Sequence, residues 1–330
     1  MVRISLLNIY IKLENKIFSV TSSTFEETAL DVFHYQYKSN PIYKQFVDHL
    51  GKKKPQKLSE IPFLPISFFK THEVRCYAKE VEILFKSSGT GGNRSQHYVE
   101  SLKLYEQSFE PTFRNQLGNP ENQVIIALLP NYIEQGESSL VFMVNRLIQL
   151  SNNQLSGFYL NDITKINETY KLALNQGKKV IIFGVSYALL DLAELEPDLS
   201  EAIIIETGGM KGRRKELTKE ELHAELKKGF NVDYIASEYG MSELLSQAYS
   251  DKYGLFTSPP WMKILVRDVN DALSYEEKGK SGGINVIDLA NLYSCSFIAT
   301  QDLGKIIGNS FQLLGRFDNA DIRGCNLLIE

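Results

Sequence analysis

Five short runs along this chain hold the residue types that phosphate and carboxylate chemistry needs. The first is "SSGTGG" (87–92), where glycines let the backbone approach a ligand. The hydroxyls of Ser87, Ser88 and Thr90 join successive free N–H groups into an anion-sized nest that suits a nucleotide phosphate. The run lacks the Gly-Lys-Ser/Thr ending with which a Walker loop holds Mg2+, and by itself a Ser/Gly-rich turn is more often a plain loop. Four more runs follow. "ETGGMKG" (206–212) sets a glycine pair at the end of an apolar strand, and "EYGMSE" (238–243) joins an aromatic ring to two potential metal-side groups. "TQDLG" (300–304) reads as a turn carrying an acid, and "GRFDNADIRG" (315–324) carries arginines and aspartates.

These runs need elements to position them. Residues 24–50 space apolar and aromatic side chains at three and four, with Thr24 and Glu27 placed as a capping box, which predicts a helical N-terminal region. Two prolines in "IPFLPISFFK" break that pattern, and "VEILFKSSGT" reads as a strand ending in a turn, followed by a helix over 100–117. From 123 to 230 strands such as "QVIIALLP" and "KVIIFGVS" alternate with amphipathic helices, the pattern of a buried, mostly parallel sheet with helices on its faces. Beyond residue 255 short strands dominate, ending in "SFIATQDLGKII" and "FQLLGRFD". The expectation is one α/β domain over 1–330, with a helical region (1–80), an α/β core (81–254) and a β-rich part (255–330).

Composition narrows the partners. With 36 Lys+Arg against 40 Asp+Glu the formal charge is −4, so no basic field covers the surface to hold nucleic acid or an anionic membrane. Cys76, Cys295 and Cys325 are odd in number and widely spaced, which argues against a disulfide framework and a zinc site and for a reducing cytoplasm. The apolar start is interrupted by charges and lacks a signal-peptide pattern, and no window reaches the about eighteen uninterrupted apolar residues of a membrane span. A soluble, unprocessed chain with a small substrate is the expectation.

In their order the five runs resemble the core motifs of the ATP-dependent adenylate-forming superfamily, which includes acyl-CoA synthetases, luciferases and peptide-synthetase adenylation domains. There an SSGTTG-type loop precedes a GG loop, YGxSE, a TxDLG-like turn and GRxDxxxxxRG. Within the superfamily the chain looks most like the acyl-protein synthetases of bacterial luminescence, and also resembles phenylacetate-CoA ligases. The resemblance implies an adenylate-forming large-domain fold of layered α/β subdomains with a β-rich C-terminal part. Relatives continue into a mobile lid with a catalytic lysine, whereas this chain stops at Glu330, so the resemblance leads to the expectation of a lidless enzyme that either runs its half-reaction slowly or has its site completed by a partner protein.

The implied roles agree with the chemistry. A carboxylate attacking the α-phosphorus of ATP needs donors for the triphosphate, a metal ligand and a clamp on base and ribose. Ser87, Ser88, Gly89, Thr90 and Gly91 would hold the β- and γ-phosphates, and Glu243 would place Mg2+. Gly208, Gly209 and Met210 would border the adenine with Tyr239 against its face, beside Gly240 and Met241. Ser242 would reach the α-phosphate, and Asp302 would accept from the ribose hydroxyls with Arg316 nearby. Cys325, close to the chain end and flanked by Arg323, matches the cysteine that takes the acyl group as a thioester, since a thiolate outdoes neutral nucleophiles. The acceptor beyond it would be a reductase, a carrier protein or a small thiol.

Other readings stay open. Cys325 is either that nucleophile or a buried small residue, in which case the chain is a coenzyme A or carrier-protein ligase. A catalytically silent scaffold is the reading from another class, against which the acid set Glu243, Asp302 and Asp318 speaks. His97 either touches substrate or phosphate or is hydrogen-bonded structure, and the acyl pocket is expected around Gly184 and Ser237. Lys211, Arg213 and Arg214 form a solvated face or a cofactor-side patch. Two positions depart from the pattern, TGG for TTG in the first loop and Gln301 where a glycine is common.

Overall fold

The computed structural model describes residues 12–88, 93–130, 136–208, 214 and 217–317. The predicted N-terminal helical region is two helices, α1 (Phe25–Ser39) and α2 (Pro41–Leu50). They separate at Asn40, whose side chain accepts from the Tyr43 N–H at 3.0 Å, while Pro41 occupies the first turn, where a missing N–H costs nothing. The expected capping box at Thr24 does not form. A preceding turn already supplies the Thr21 carbonyl to the N–H of Phe25, the Thr24 hydroxyl accepts from Thr21 N–H, and Glu27 pairs instead with Lys16.

A two-residue strand β1 (Leu64–Pro65) leads to β2 (Ile83–Lys86), and here the structure differs from the predicted strand, turn and helix. A further strand β3 (Gln96–Val99) pairs antiparallel with β2, Phe85 opposite His97, before helix α3 (Leu102–Leu117) begins. The connection containing "SSGTGG" therefore joins the strands of a hairpin. The alternation of His97 and Val99 inward with Gln96 and Tyr98 outward is too short to separate from loop by pattern alone.

The alternating middle of the chain folds as its pattern predicts. In order come β4 (Gln123–Leu128), α4 (Ser139–Ser151), β5 (Gly157–Phe158), α5 (Ile166–Asn175), β6 (Lys179–Val185), α6 (Ser186–Ala193), β7 (Ile203–Thr207), α7 (Lys219–Phe230) and β8 (Ala236–Tyr239). All these strands pair in parallel, and Val124–Leu128 and Val180–Phe183 are wholly buried, as strands covered on both faces require. Helix α7 does carry a capping box, Thr218 with Glu221.

The β-rich part continues the same sheet. Strands β9 (Ala248–Ser250), β10 (Phe256–Thr257), β11 (Met262–Arg267), β12 (Ser281–Asp288), β13 (Phe297–Ile307) and β14 (Ser310–Arg316) extend it antiparallel from β8, in the order β11-β12-β13-β14-β10-β9-β8-β7-β6-β4-β5. Strand β1 adds to β13. "TQDLG" is not a turn: it runs within β13, with a register shift between Leu303 and Gly304.

The segment after β8, residues 241–246, is held by buried polar side chains from three other elements. Asp288, at the end of β12, accepts from the N–H of Leu245 and Ser246 at 2.9 Å each, from the Ser246 hydroxyl at 2.6 Å and from Ala290 N–H at 3.1 Å. Asn291 donates to the Glu243 carbonyl at 2.7 Å, and Nδ1 of His97 lies 2.7 Å from the Ser242 carbonyl. A carbonyl only accepts, so that ring nitrogen carries the proton, and burial pushes the His97 pKa down to about 4. Gln36 of α1 completes the clamp: its amide nitrogen is 3.0 Å from the carbonyls of Asn291 and Leu292, and its oxygen accepts from Ser296 N–H at 3.0 Å.

Two outcomes follow. Gln36→Leu strands several buried partners, so denaturant unfolding should show a loss of about 2–4 kcal/mol; a loss under about 0.5 kcal/mol would contradict the clamp. His97 is neutral when folded, so below its ordinary pKa of 6.5 the unfolded chain takes the proton first, and the stability it gives is lost as the pH falls from about 6.5 to 4. Glu238, pushed up to about 7, opposes this in the wild type, so the effect is read as a difference. The destabilisation caused by His97→Gln should be greatest at pH 7 and shrink towards pH 4, and a pH-independent cost would rule the assignment out.

Candidate active site

A cleft of about 920 Å³ opens at the carboxyl ends of β4, β6, β7 and β8, where Leu129, Val185, Thr207 and Gly240 line it. In open sheets with helical connections this end is where ligands bind, because the strand-to-helix loops there are free to shape a site. From the expected set, the structure brings Ser87, Ser88, Gly208, Gly240, Met241, Ser242, Glu243, Asp302 and Arg316 to this one cleft. Gly89, Thr90, Gly91, Gly209, Met210 and Cys325 lie outside the described residues, as do Lys211, Arg213, Asp318 and Arg323.

Four expected positions are not on the cleft wall. Side chains alternate along β8, so Glu238 faces the cleft while Ser237 and Tyr239 turn away from it. Tyr239 packs its ring edge-on to Phe256 and Phe311, and its hydroxyl donates to Asp302 at 2.9 Å; it positions the acid and does not present a face for a base. Ser237 donates to Glu206 at 3.3 Å. Gly184 is a packing glycine: a Cβ there would fall 2.5 Å from Leu189 Cγ, so only hydrogen fits between β6 and α6. His97 stands behind the Ser242 carbonyl and supports the loop. Of the basic knot, Arg214 pairs with Asp191 and with Glu194 at 2.7 Å and is absent from the lining.

The hairpin arm is braced before any ligand arrives. Ser87 N–H donates to the Ser95 carbonyl at 3.1 Å, Ser95 N–H donates to the Ser87 hydroxyl at 3.0 Å, and Arg94 Nε donates to the Ser87 carbonyl. Lys86 reaches Glu137 at 2.5 Å, tying the hairpin to the start of α4. The Ser87 hydroxyl thus accepts from protein and keeps its own proton to donate. Lys70, Lys86, Arg94 and Arg316 all line the cleft, interspersed with Glu137, Glu238, Glu243 and Asp302, so the cations that could meet a phosphate stand among acids of the same wall.

Glu243 is 5% exposed, and burial pushes its pKa up against the Ser95 hydroxyl and the charges of Arg316 and Lys70, which pull it down. Its chemistry fits Mg2+ held by one carboxylate, water and substrate phosphates, the usual way that ion is bound. Among the described residues no cluster of three His, Cys, Asp or Glu makes a closed metal cage. Asp302 accepts from Tyr239 through one oxygen and from Arg316 Nε at 3.0 Å through the other, which fixes the carboxylate with lone pairs to spare for hydroxyl donors. Sequence reasoning missed Lys70, Lys86, Glu137, Glu238 and Gln247, which line the cleft from separate elements. Lys70, Lys86 and Glu238 lay inside quoted runs, and for Glu238 the strand period of two would have shown that it and Tyr239 face opposite ways.

Known proteins share this fold. Among solved structures the fold is similar to ATP-bound MatB from Rhodopseudomonas palustris, with a TM-score of 0.54 and 17% identity over 72% of this chain and 48% of that one. It is also similar to 2-hydroxyisobutyryl-CoA ligase in complex with 2-HIB-AMP and CoA, with a TM-score of 0.64 and 10% identity over 92% of this chain and 71% of that one. The chain thus spans about half the length of MatB. No curated protein sequence matches it. No helix among the described residues is long and apolar enough to cross a membrane. The sequence profile of the family "Acyl-protein synthetase, LuxE" matches residues 18–330, and the chain belongs to that family.

Proposed function

We propose that this chain activates a carboxylic acid, a fatty acid in the first instance, with ATP and Mg2+, and passes the acyl group to a thiol in the cytoplasm. The observation that carries the reading is the convergence of Ser87, Ser88, Ser242, Glu243, Asp302 and Arg316 on one cleft at the carboxyl ends of the strands. A substrate carboxylate oxygen attacks the α-phosphorus, the bond to the bridging oxygen breaks, and pyrophosphate leaves. Ser87 and Ser88, with Gly89, Thr90 and Gly91, hold the β- and γ-phosphates, and Ser242 donates to the α-phosphate. Asp302, fixed by Tyr239 and Arg316, accepts from the ribose, and Gly208, Gly209 and Met210 border the adenine. Glu243 would hold Mg2+, whose charge would offset that of the pyrophosphate.

The apolar part of the lining, Leu129, Pro130, Leu140, Val141, Met143 and Val185, suits an alkyl chain. In the second half-reaction the Cys325 thiolate attacks the acyl carbonyl carbon and AMP leaves with the bonding pair, which gives a thioester that a reductase, a carrier protein or a small thiol then takes.

ATP–pyrophosphate exchange tests the first half. Glu243→Gln should lower it by on the order of 10²-fold with the fold intact, and normal exchange in that variant would remove Glu243 from the site. Tyr239→Phe frees Asp302, so it should raise KM for ATP severalfold with a smaller change in kcat; a fall in kcat alone would contradict a positioning role. Radiolabelled acid should stay on the protein and be lost in Cys325→Ser. Equal acyl-CoA formation by that variant would instead favour direct ligation with Cys325 idle.

A further inference from the structure

Glu238 is an acid at the cleft wall that the proposed adenylation does not use. It stands in β8 with its carboxylate folded over Gly240, so close that a Cβ on residue 240 would lie 2.2 Å from Oε1. Oε2 accepts from the Thr207 hydroxyl at 2.6 Å, and no donor among the described residues reaches Oε1. The neighbouring tyrosine hydroxyls are engaged elsewhere, Tyr105 with the Ser139 carbonyl at 2.9 Å and Tyr249 with the Met143 sulfur at 3.9 Å. Across Gly240 stands Gln247, 3% exposed and also lining the cleft; its Cγ is 3.2 Å from the same Cβ position, and its Oε1 has no hydrogen-bond partner. Three of the four described cleft cations pair away from this corner, Lys86 and Arg94 with Glu137 and Arg316 with Asp302.

Two unanswered acceptors thus share the lining of the cleft with the apolar side chains of Leu140, Val141 and Met143. An unsubstituted alkyl chain laid here takes water from the Glu238 carboxylate and returns no hydrogen bond, which is costly, and leaves the buried Gln247 oxygen unanswered as before. A hydroxyl on the chain restores the bond. We propose that Glu238, with Gln247 beside it, is the specificity-determining group of the cleft, and that the acid activated carries a hydroxyl on its acyl chain. Burial and the neighbouring Glu206 push the Glu238 carboxyl up to about 7, so near neutrality it accepts from that hydroxyl in one protonation state and donates to it in the other. The proposal deepens, and rests on, the adenylation reading above.

Pyrophosphate exchange with straight-chain acids and their hydroxylated counterparts of equal length, the hydroxyl moved along the chain, tests it. The wild type should favour at least one hydroxylated acid by about tenfold or more in kcat/KM, because sites built to hydrogen-bond a hydroxyl reject analogues that lack it. Glu238→Leu should abolish or invert that preference, and Glu238→Gln, close in shape and still hydrogen-bonding, should keep it. Exchange with no preference in the wild type, or a preference unchanged in Glu238→Leu, overturns this proposal and leaves adenylation standing. Absence of exchange with every acid overturns the adenylation reading and this proposal with it.

Discussion

The carboxylate of Asp288 is the interaction on which the site depends. It lies wholly buried at the end of β12 and gathers donors from Leu245, Ser246 and Ala290. Burying a carboxylate costs free energy unless hydrogen bonds replace its water, and here backbone N–H groups do so. The consequence is geometric. A chain leaving a parallel strand toward the cleft has no ladder to hold it, yet Ser242 and Glu243 must stand still if they are to meet a phosphate and its cation. Asp288, Asn291 and His97 replace that ladder with side chains, each acting on a different backbone group of the same short segment.

The same economy runs through the rest of the cleft. Polar groups of the cleft are held by neighbours: Asp302 by Tyr239, Ser87 by Ser95, and the Ser242 carbonyl by His97. Rigid supporting groups of this kind let donors meet developing charge without reorganisation. Glu238 and Gln247 break the pattern, since each keeps an acceptor that the described protein does not answer.

What the sequence disclosed follows its physics. The parallel half was legible because its strands are buried on both faces and read as unbroken apolar runs. The order of the glycine, YGMSE and GRFD runs led to the superfamily, and the family match over residues 18–330 bears that out. Strand β3 escaped because its few residues have no periodicity to show. "TQDLG" reads as a turn from its glycine and acid, yet a bulge absorbs the glycine and leaves the acid in a strand. Tyr239 and His97 have residue types that suit a ligand, but their directions are set by strand alternation and by partners far away in sequence, which no single run contains.

Amide hydrogen exchange with and without ATP and Mg2+ tests the central claim most directly, that the braced cleft is a nucleotide site. Binding should add protection at residues 85–96, 240–246 and 300–303 together, with the buried strands β4 and β6 unchanged. Saturating nucleotide that leaves these three segments as they were, or protects a different face of the sheet, would contradict it.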